Sequence, residues 1–521
     1  MDGVQLLLII GAGIAISAVA KKRNIEPGLI IVVLAAAASF LPGVPQLELK
    51  SELILAVVVP PLLYSATRGA SFSAFGANLR AIVTLGVLLV LLTAGLLGLV
   101  ASWLLPGMGA AAFVLGAVLA PPDTITTVSH GDEIGLPKRV TSILTGESLV
   151  NDATALTLFT IAIGAVNGEH TSWQHGGLEL LRNSFVGIGI GGLLAVATLF
   201  IRKRLGNATL ETTLVLLLPF TAYLVAEEAH ASGILAVVMA AFFVSINLTL
   251  DPKHQYPGAY LTRLQEDAFW PVLDFLLETF VFAYIGLQLK FVLEDLAHES
   301  EPGLSRTLVA AGVLLAVAIL FRLVAVYLLF GRWNLREWMV ARRLARDAEF
   351  KAAWQKRMSR RRRRGGEPLA PPTQKETLLV GWIGMRGILT LAAAGSIPER
   401  VPGRNAILAI ALFVTLGTLL VQGTTIGWLT RRLRFDLSGE RAEEERLQEV
   451  GRQVVAEAAA EPAADVDGSF DAQRRALGLA VNEHRLTEEV ARSMIEDLDL
   501  RQAARHTVHP SGGSQGQSIP G

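Results

Sequence analysis

The feature that most constrains this chain is a succession of predominantly apolar runs, each of about 17 to 25 residues. They fall near residues 4–20, 27–43, 51–66, 81–105, 109–129, 139–166, 178–201, 209–228, 232–248, 268–289, 307–330, 376–397 and 404–428. Each is long enough for an α-helix to cross the hydrocarbon core of a bilayer, where a helix satisfies its own backbone donors and acceptors. The expectation is an all-α polytopic membrane protein with about 13 transmembrane helices. Composition agrees: 52% of the 521 residues are hydrophobic, 18% are charged, and the mean hydropathy of +0.47 is too apolar for a soluble chain of this size. There is no cysteine, which excludes disulfides, thiolate metal sites and a cysteine nucleophile. The opening MDGVQLLLII lacks a basic n-region and a small-residue cleavage site, so it reads as a retained first span.

Basic residues follow alternate spans. Lys21, Lys22 and Arg23 come after the first, Arg68 and Arg80 after the third, Lys138 and Arg139 after the fifth, and Arg202, Lys203 and Arg204 after the seventh. The positive-inside rule makes that side cytoplasmic, with the N-terminus outside and the C-terminus inside. The loop 331–372, with Arg342, Arg343, Arg346 and the run Arg360 to Arg364, reads as a cytoplasmic segment facing anionic headgroups rather than nucleic acid. Its first half suggests an interfacial amphipathic helix. Residues 1–434 form the transmembrane domain on this reading. Residues 435–521 form an acidic cytoplasmic tail with short amphipathic helices and, from Ser511, a disordered Gly/Ser end.

Within the sixth run, Gly146 to Phe159 reads GESLVNDATALTLF. A charge near mid-membrane costs about 2.5 to 3.5 kcal/mol on insertion scales, so two carboxylates there need partners or a function. At helical spacing Glu147 and Asn151 share one stripe and Ser148 and Asp152 the next, with Thr154 nearby, presenting oxygens of the kind that hold a small hard cation. Two further runs are interrupted beside a charge. The fifth carries Pro121-Pro122-Asp123 and the twelfth Gly384-Met385-Arg386-Gly387. Broken spans in corresponding halves point to a transporter site. Five and twelve differ by an odd number, so repeats would be inverted, with spans one to six and eight to thirteen as halves and the two broken helices crossing.

That stretch, with PPLLYSAT, APPDTITT, EEAHASGILAVVMA, ETFVFAYIGLQL and GMRGILTLA in this order, resembles the monovalent cation:proton antiporters of the NhaP and sodium/proton exchanger type over about residues 4 to 434. The resemblance implies that Asp152 binds proton or cation in turn, and that Asp123 is the second acid near the ion. Na⁺ would lie at Asp152, Asp123 and Ser148, with Thr154 a further possible oxygen. A Thr often precedes the second acid in such proteins. Pro122 stands there instead, so a hydroxyl is missing and the Pro122 carbonyl is offered. Asn151 replaces the additional Asp of some antiporters, which fits electroneutral one-for-one exchange. For Glu147 the sequence offers two basic partners, Arg322 and Arg386. The resemblance favours Arg322 and puts Arg386 at the crossing, against helix C-terminal dipoles or Asp123. Glu278 matches a family acid and reads equally as a buried structural one.

The function expected is secondary antiport of Na⁺, and of K⁺ or Li⁺, for H⁺ across the plasma membrane, with no enzyme activity and no cofactor; that the protein is a homodimer is implied by the resemblance alone. A passive cation channel and an intramembrane hydrolase are the alternatives, the latter disfavoured by the lack of a nucleotide loop, a Ser/His set or a metal cluster. Gly187 and Gly191 form a small-xxx-small face that suits plain helix packing better than a dimer seam.

Overall fold

A computed structural model of the chain describes residues 3–22, 27–42, 44, 54–124, 131–168, 173–250, 258–298, 303–347, 349–351, 354–355, 372–461 and 466–508. All regular structure in these residues is helical: α1 (Gly3–Lys22), α2 (Pro27–Ser39), α3 (Val59–Arg68), α4 (Phe72–Leu104), α5 (Ala111–Leu119), α6 (Lys138–Val166), α7 (Trp173–Leu205), α8 (Ala208–Glu228), α9 (Gly233–Leu250), α10 (Ala259–Leu287), α11 (Leu289–His298), α12 (Leu304–Arg346), α13 (Gln374–Trp382), α14 (Ile388–Gly395), α15 (Arg404–Leu433), α16 (Ser438–Ala460), α17 (Val466–Asn482) and α18 (Glu488–Val508). Among the described residues seven helices are long and apolar enough to cross a membrane: α4, α6, α8, α12, α15, the Leu181–Leu205 part of α7, and Ala259–Ala297, which takes in α10. Shorter apolar helices cover Leu7–Ala20, Pro27–Ser39 and Gly233–Asn247.

Several helices outrun the apolar runs. The fourth run begins near residue 81, but α4 begins at Phe72, where the Ser71 hydroxyl accepts from the Ala74 N–H at 3.2 Å as an N-cap. Arg80 therefore lies inside a helix, its guanidinium over the Trp333 ring, and not in a loop. Likewise α12 carries Arg336, Arg342 and Arg343 in one continuous helix from Leu304. Basic side chains do not stop a helix; they form helix readily. A hydropathy window marks the membrane part of an element, not its ends. The Arg360 to Arg364 run and the chain's Gly/Ser end lie outside the described residues.

Both interrupted runs leave the helical conformation at their breaks. α5 ends at Leu119, ahead of Pro121 and Pro122, whose rings cannot donate to the ladder. α13 starts on a capping box in which Thr373 Oγ1 accepts from the Glu376 N–H and Glu376 Oε2 accepts from the Thr373 N–H. It ends at Trp382, and the chain is extended at Ile383 and Gly387 before α14 begins.

The residues group into two compact units: Met1–Leu193, Pro219–Ala241 and Leu273–Asp436 in the first, Leu194–Leu218, Phe242–Val272 and Leu437–Gly521 in the second. In the first, one apolar core joins α4, α5, α12, α14 and α15 through Leu97, Leu115, Leu314, Ala394 and Ile410. Another joins α2, α10, α14 and α15 through Val32, Ile285, Ala392 and Leu412. Gly187 and Gly191 on α7 leave no room for a side chain against the Ser232 and Ala236 carbonyls, so the small-xxx-small face packs within the chain.

The second unit is held by buried charge as well as by apolar contact. Arg202, expected among the exposed loop basics, is 1% exposed and bonds Glu211 at 3.0 Å and Glu266 at 3.1 Å. The tail helices bury Val454, Leu477, Ala491 and Ile495 against one another and Leu250. Arg263, five residues into α10, grips Asp499 of α18 through two hydrogen bonds of 2.6 and 2.8 Å, and Arg474 of α17 reaches the same carboxylate at 2.7 Å. Removing one member of such a buried set strands the others, which is why it acts as a latch between these segments.

Candidate ion-binding site

The polar stretch Gly146 to Phe159 lies in α6, and Glu147, Ser148, Asn151, Asp152 and Thr154 are all buried there. α6 meets the two breaks. At the crossing the Asp123 N–H donates to the Met385 carbonyl at 2.7 Å, an isolated antiparallel bridge between the interrupted segments. Asn151 ties α6 to this crossing, its Nδ2 donating to the Pro122 carbonyl at 2.6 Å. The carbonyl released by the proline break thus accepts one hydrogen bond from Asn151 and has a second lone pair besides.

A cavity at the crossing is lined by Asp123 and Asp152, by Glu278 from α10, and by Pro121, Met385, Arg386, Gly387 and Thr390; Val59, Leu62 and Leu63 of α3 supply apolar wall. Asp152 is 9% exposed, and the Asp123 carboxylate is its charged neighbour. Gly387 fits because the Asp123 carboxylate fills the space where any Cβ would sit. Ser148 Oγ is buried without a hydrogen-bond partner, though neither Ser148 nor Thr154 lines the cavity itself. The Thr154 hydroxyl donates to the Val150 carbonyl one turn back at 3.1 Å.

The basic groups are both spoken for. Arg322 forks onto Glu147, Nη1 to Oε1 at 2.6 Å and Nη2 to Oε2 at 2.9 Å, with Nη2 also donating to the Val380 carbonyl at 3.1 Å. Both partners are buried, at 3% and 0% exposure. Arg386 donates from Nε to the Leu119 carbonyl at 2.7 Å and from Nη1 to the Gly384 carbonyl of its own segment, while its backbone N–H goes to Thr418 Oγ1 at 2.9 Å. It caps the C-terminal end of α5, where a cation offsets the helix dipole. Among the described residues Asp152 has no ion pair. Glu227, at the C-terminal end of α8, accepts from the Gly233 N–H at 3.3 Å and so closes a turn.

Two features were missed from sequence. Asp274, one turn from Glu278 on α10, accepts from the Ser65 hydroxyl of α3 and keeps its Oδ1 buried without a partner. Its signal was an acid inside an apolar run, four residues before Glu278. Thr390 had no such signal.

The family profile described as "Sodium/hydrogen exchanger, transmembrane" matches residues 4–432, most of the chain. The protein belongs to the sodium/hydrogen exchanger family. It is a multi-pass membrane protein. Among its relatives is a sodium, potassium, lithium and rubidium/H⁺ antiporter of Bacillus subtilis, 30% identical over 451 residues, 82% of this chain and 62% of that one. An uncharacterized Na⁺/H⁺ exchanger of Escherichia coli, YjcE, is 28% identical over 491 residues, 89% of this chain and 81% of that one. The solved sodium proton antiporter MjNhaP1 of Methanocaldococcus jannaschii superposes with a TM-score of 0.57 at 18% identity, covering 82% of this chain and 97% of that one; this likeness shows a common fold.

Proposed function

We propose that this sodium/hydrogen exchanger family member is a secondary antiporter that exchanges Na⁺, and K⁺ or Li⁺, for H⁺, one for one and without net charge movement, across the plasma membrane. The observation that carries this reading is the pairing of Asp152 and Asp123 in a cavity at two crossed helix breaks, while Arg322 and Arg386 are bound elsewhere. Asp152 takes a proton or a cation in turn. Asp123 and Ser148 add oxygens to the cation, and Glu278 adds negative charge to the cavity lining. Glu147 with Arg322 and Arg386 at the end of α5 hold the frame and bind no ion.

Thirteen passes in two inverted repeats, with the N-terminus outside and the C-terminus inside, give alternating access by rocking around a fixed site. The transmembrane domain is residues 1–434, and 435–521 lie in the cytoplasm. The protein acts as a homodimer, and its loop 331–372 lies on anionic lipid.

The test is proton movement reported by a pH-sensitive dye in proteoliposomes after separate additions of Na⁺, K⁺ and Li⁺. An antiporter moves protons without a compensating ionophore; a channel moves them only when an ionophore supplies the return path. A second result follows from the crossing. In Gly387→Ala the new methyl displaces the Asp123 carboxylate, and exchange falls by about tenfold or more while the protein stays folded, since misplacing a binding group by about 1 Å has effects of that order. Unchanged exchange would remove Asp123 from the site.

A further inference from the structure

Hydroxyls in the apolar helices mostly close on their own backbone. Thr67, Thr93, Thr154 and Thr377 each donate to the carbonyl four residues back, at 2.6 to 3.1 Å. Thr390 does not. It is 1% exposed, and its Oγ1 is buried with no hydrogen-bond partner. Its place in the chain explains why. Thr390 is the third residue of α14, so the carbonyl four residues back belongs to Arg386, in the extended crossing where no helical turn precedes it. The side chain lines the cavity with Asp123, Asp152 and Glu278.

A buried hydroxyl without a partner costs free energy unless something else in the site satisfies it. Its oxygen carries two lone pairs for a cation. The carboxylates attract monovalent cations by charge and favour the smaller ones through field strength, without fixing a distance. A neutral oxygen fixed on the first turn of a helix sets a distance, and a set distance favours one ionic radius over another.

We propose that Thr390 is a ligand of the transported cation and sets how the site discriminates Na⁺ from K⁺. This rests on the antiporter reading above. In the step itself no covalent bond changes: the hydroxyl oxygen replaces one water of the cation's shell on loading and releases it on unloading.

The experiment compares Thr390→Val, which keeps the shape and removes the oxygen, with Thr390→Ser, which keeps the oxygen. Half-saturating Na⁺ and K⁺ are measured by dye in proteoliposomes, and cation-induced thermal stabilisation is measured on detergent-purified protein. Thr390→Val should raise half-saturating Na⁺ by about five- to tenfold, the loss of one such polar contact. The ratio of half-saturating K⁺ to Na⁺ should change at least about threefold, and the melting shift on adding Na⁺ should shrink. Without cation the valine protein should melt no lower than wild type, because an unsatisfied polar group has been removed. Thr390→Ser should stay within about twofold of wild type throughout. If the valine does not insert, Thr390→Ala makes the same comparison.

A valine variant with wild-type half-saturation for both ions would overturn the assignment. So would equal shifts for Na⁺ and K⁺ together with a lower melting point in the absence of cation, the mark of packing alone. Wild-type protein that moves no protons on cation addition would instead sink the antiporter reading, so the two failures are distinguishable.

Discussion

Asp152→Asn is expected to leave a folded, membrane-inserted protein in which a cation gradient drives no proton movement above that of empty liposomes. The amide has the carboxylate's shape and hydrogen-bonding size, so α6 and the crossing keep their packing. It neither takes up a proton in this pH range nor presents a charge to the cation, so the rate should fall by at least about a hundredfold. Asp152 is the buried acid of α6 without an ion pair among the described residues, whereas Glu147 is already neutralised by Arg322. Retained exchange in a well-folded Asp152→Asn protein would move the carrier role to Asp123.

The second large effect is on stability. Glu147→Ala leaves the Arg322 guanidinium buried with one remaining carbonyl, and Arg322→Ala leaves a buried carboxylate. Each single change should cost about 3 to 5 kcal/mol, and the double change much less than the sum, because the second substitution removes the charge that the first one stranded. Thermal or denaturant unfolding in detergent reads the coupling. Half-saturating cation should move little in whatever fraction stays folded. Additive losses would mean that the two-pronged contact between Arg322 and Glu147 carries no coupling, and that Glu147 is balanced by another group.

How far the sequence could be read follows from what each feature costs a membrane helix. Charges inside apolar runs are expensive, so Glu147, Asp152, Glu278, Arg322 and Arg386 stand out without any structure. Pro121-Pro122 and Gly384 to Gly387 announce breaks because rings and missing side chains change the backbone wherever they occur. Thr390 was invisible. A threonine in a helix normally bonds its own backbone, and only the register of α14, starting at Ile388, withholds the acceptor. The engagement of Pro122 by Asn151 was hidden too, since it depends on which stripe of α6 faces the crossing. Helix ends were read too short at Phe72, Ala259 and Arg346. Hydropathy reports the lipid's boundary, and backbone hydrogen bonding continues past it. The Arg263 and Asp499 contact joins residues 236 apart in sequence, and no local pattern encodes a pairing at that distance.

The central claim is that one carboxylate serves proton and cation in turn, and the pH dependence of half-saturation tests it most directly. In proteoliposomes with equal pH on both sides, half-saturating Na⁺ is measured at successive pH values on the acid side of the rate maximum. Competition of one proton with one cation predicts a rise of about tenfold for each unit fall in pH, with the saturating rate changing far less. A half-saturating concentration independent of pH, or a maximal rate that collapses in acid even at saturating Na⁺, would contradict a shared site at Asp152.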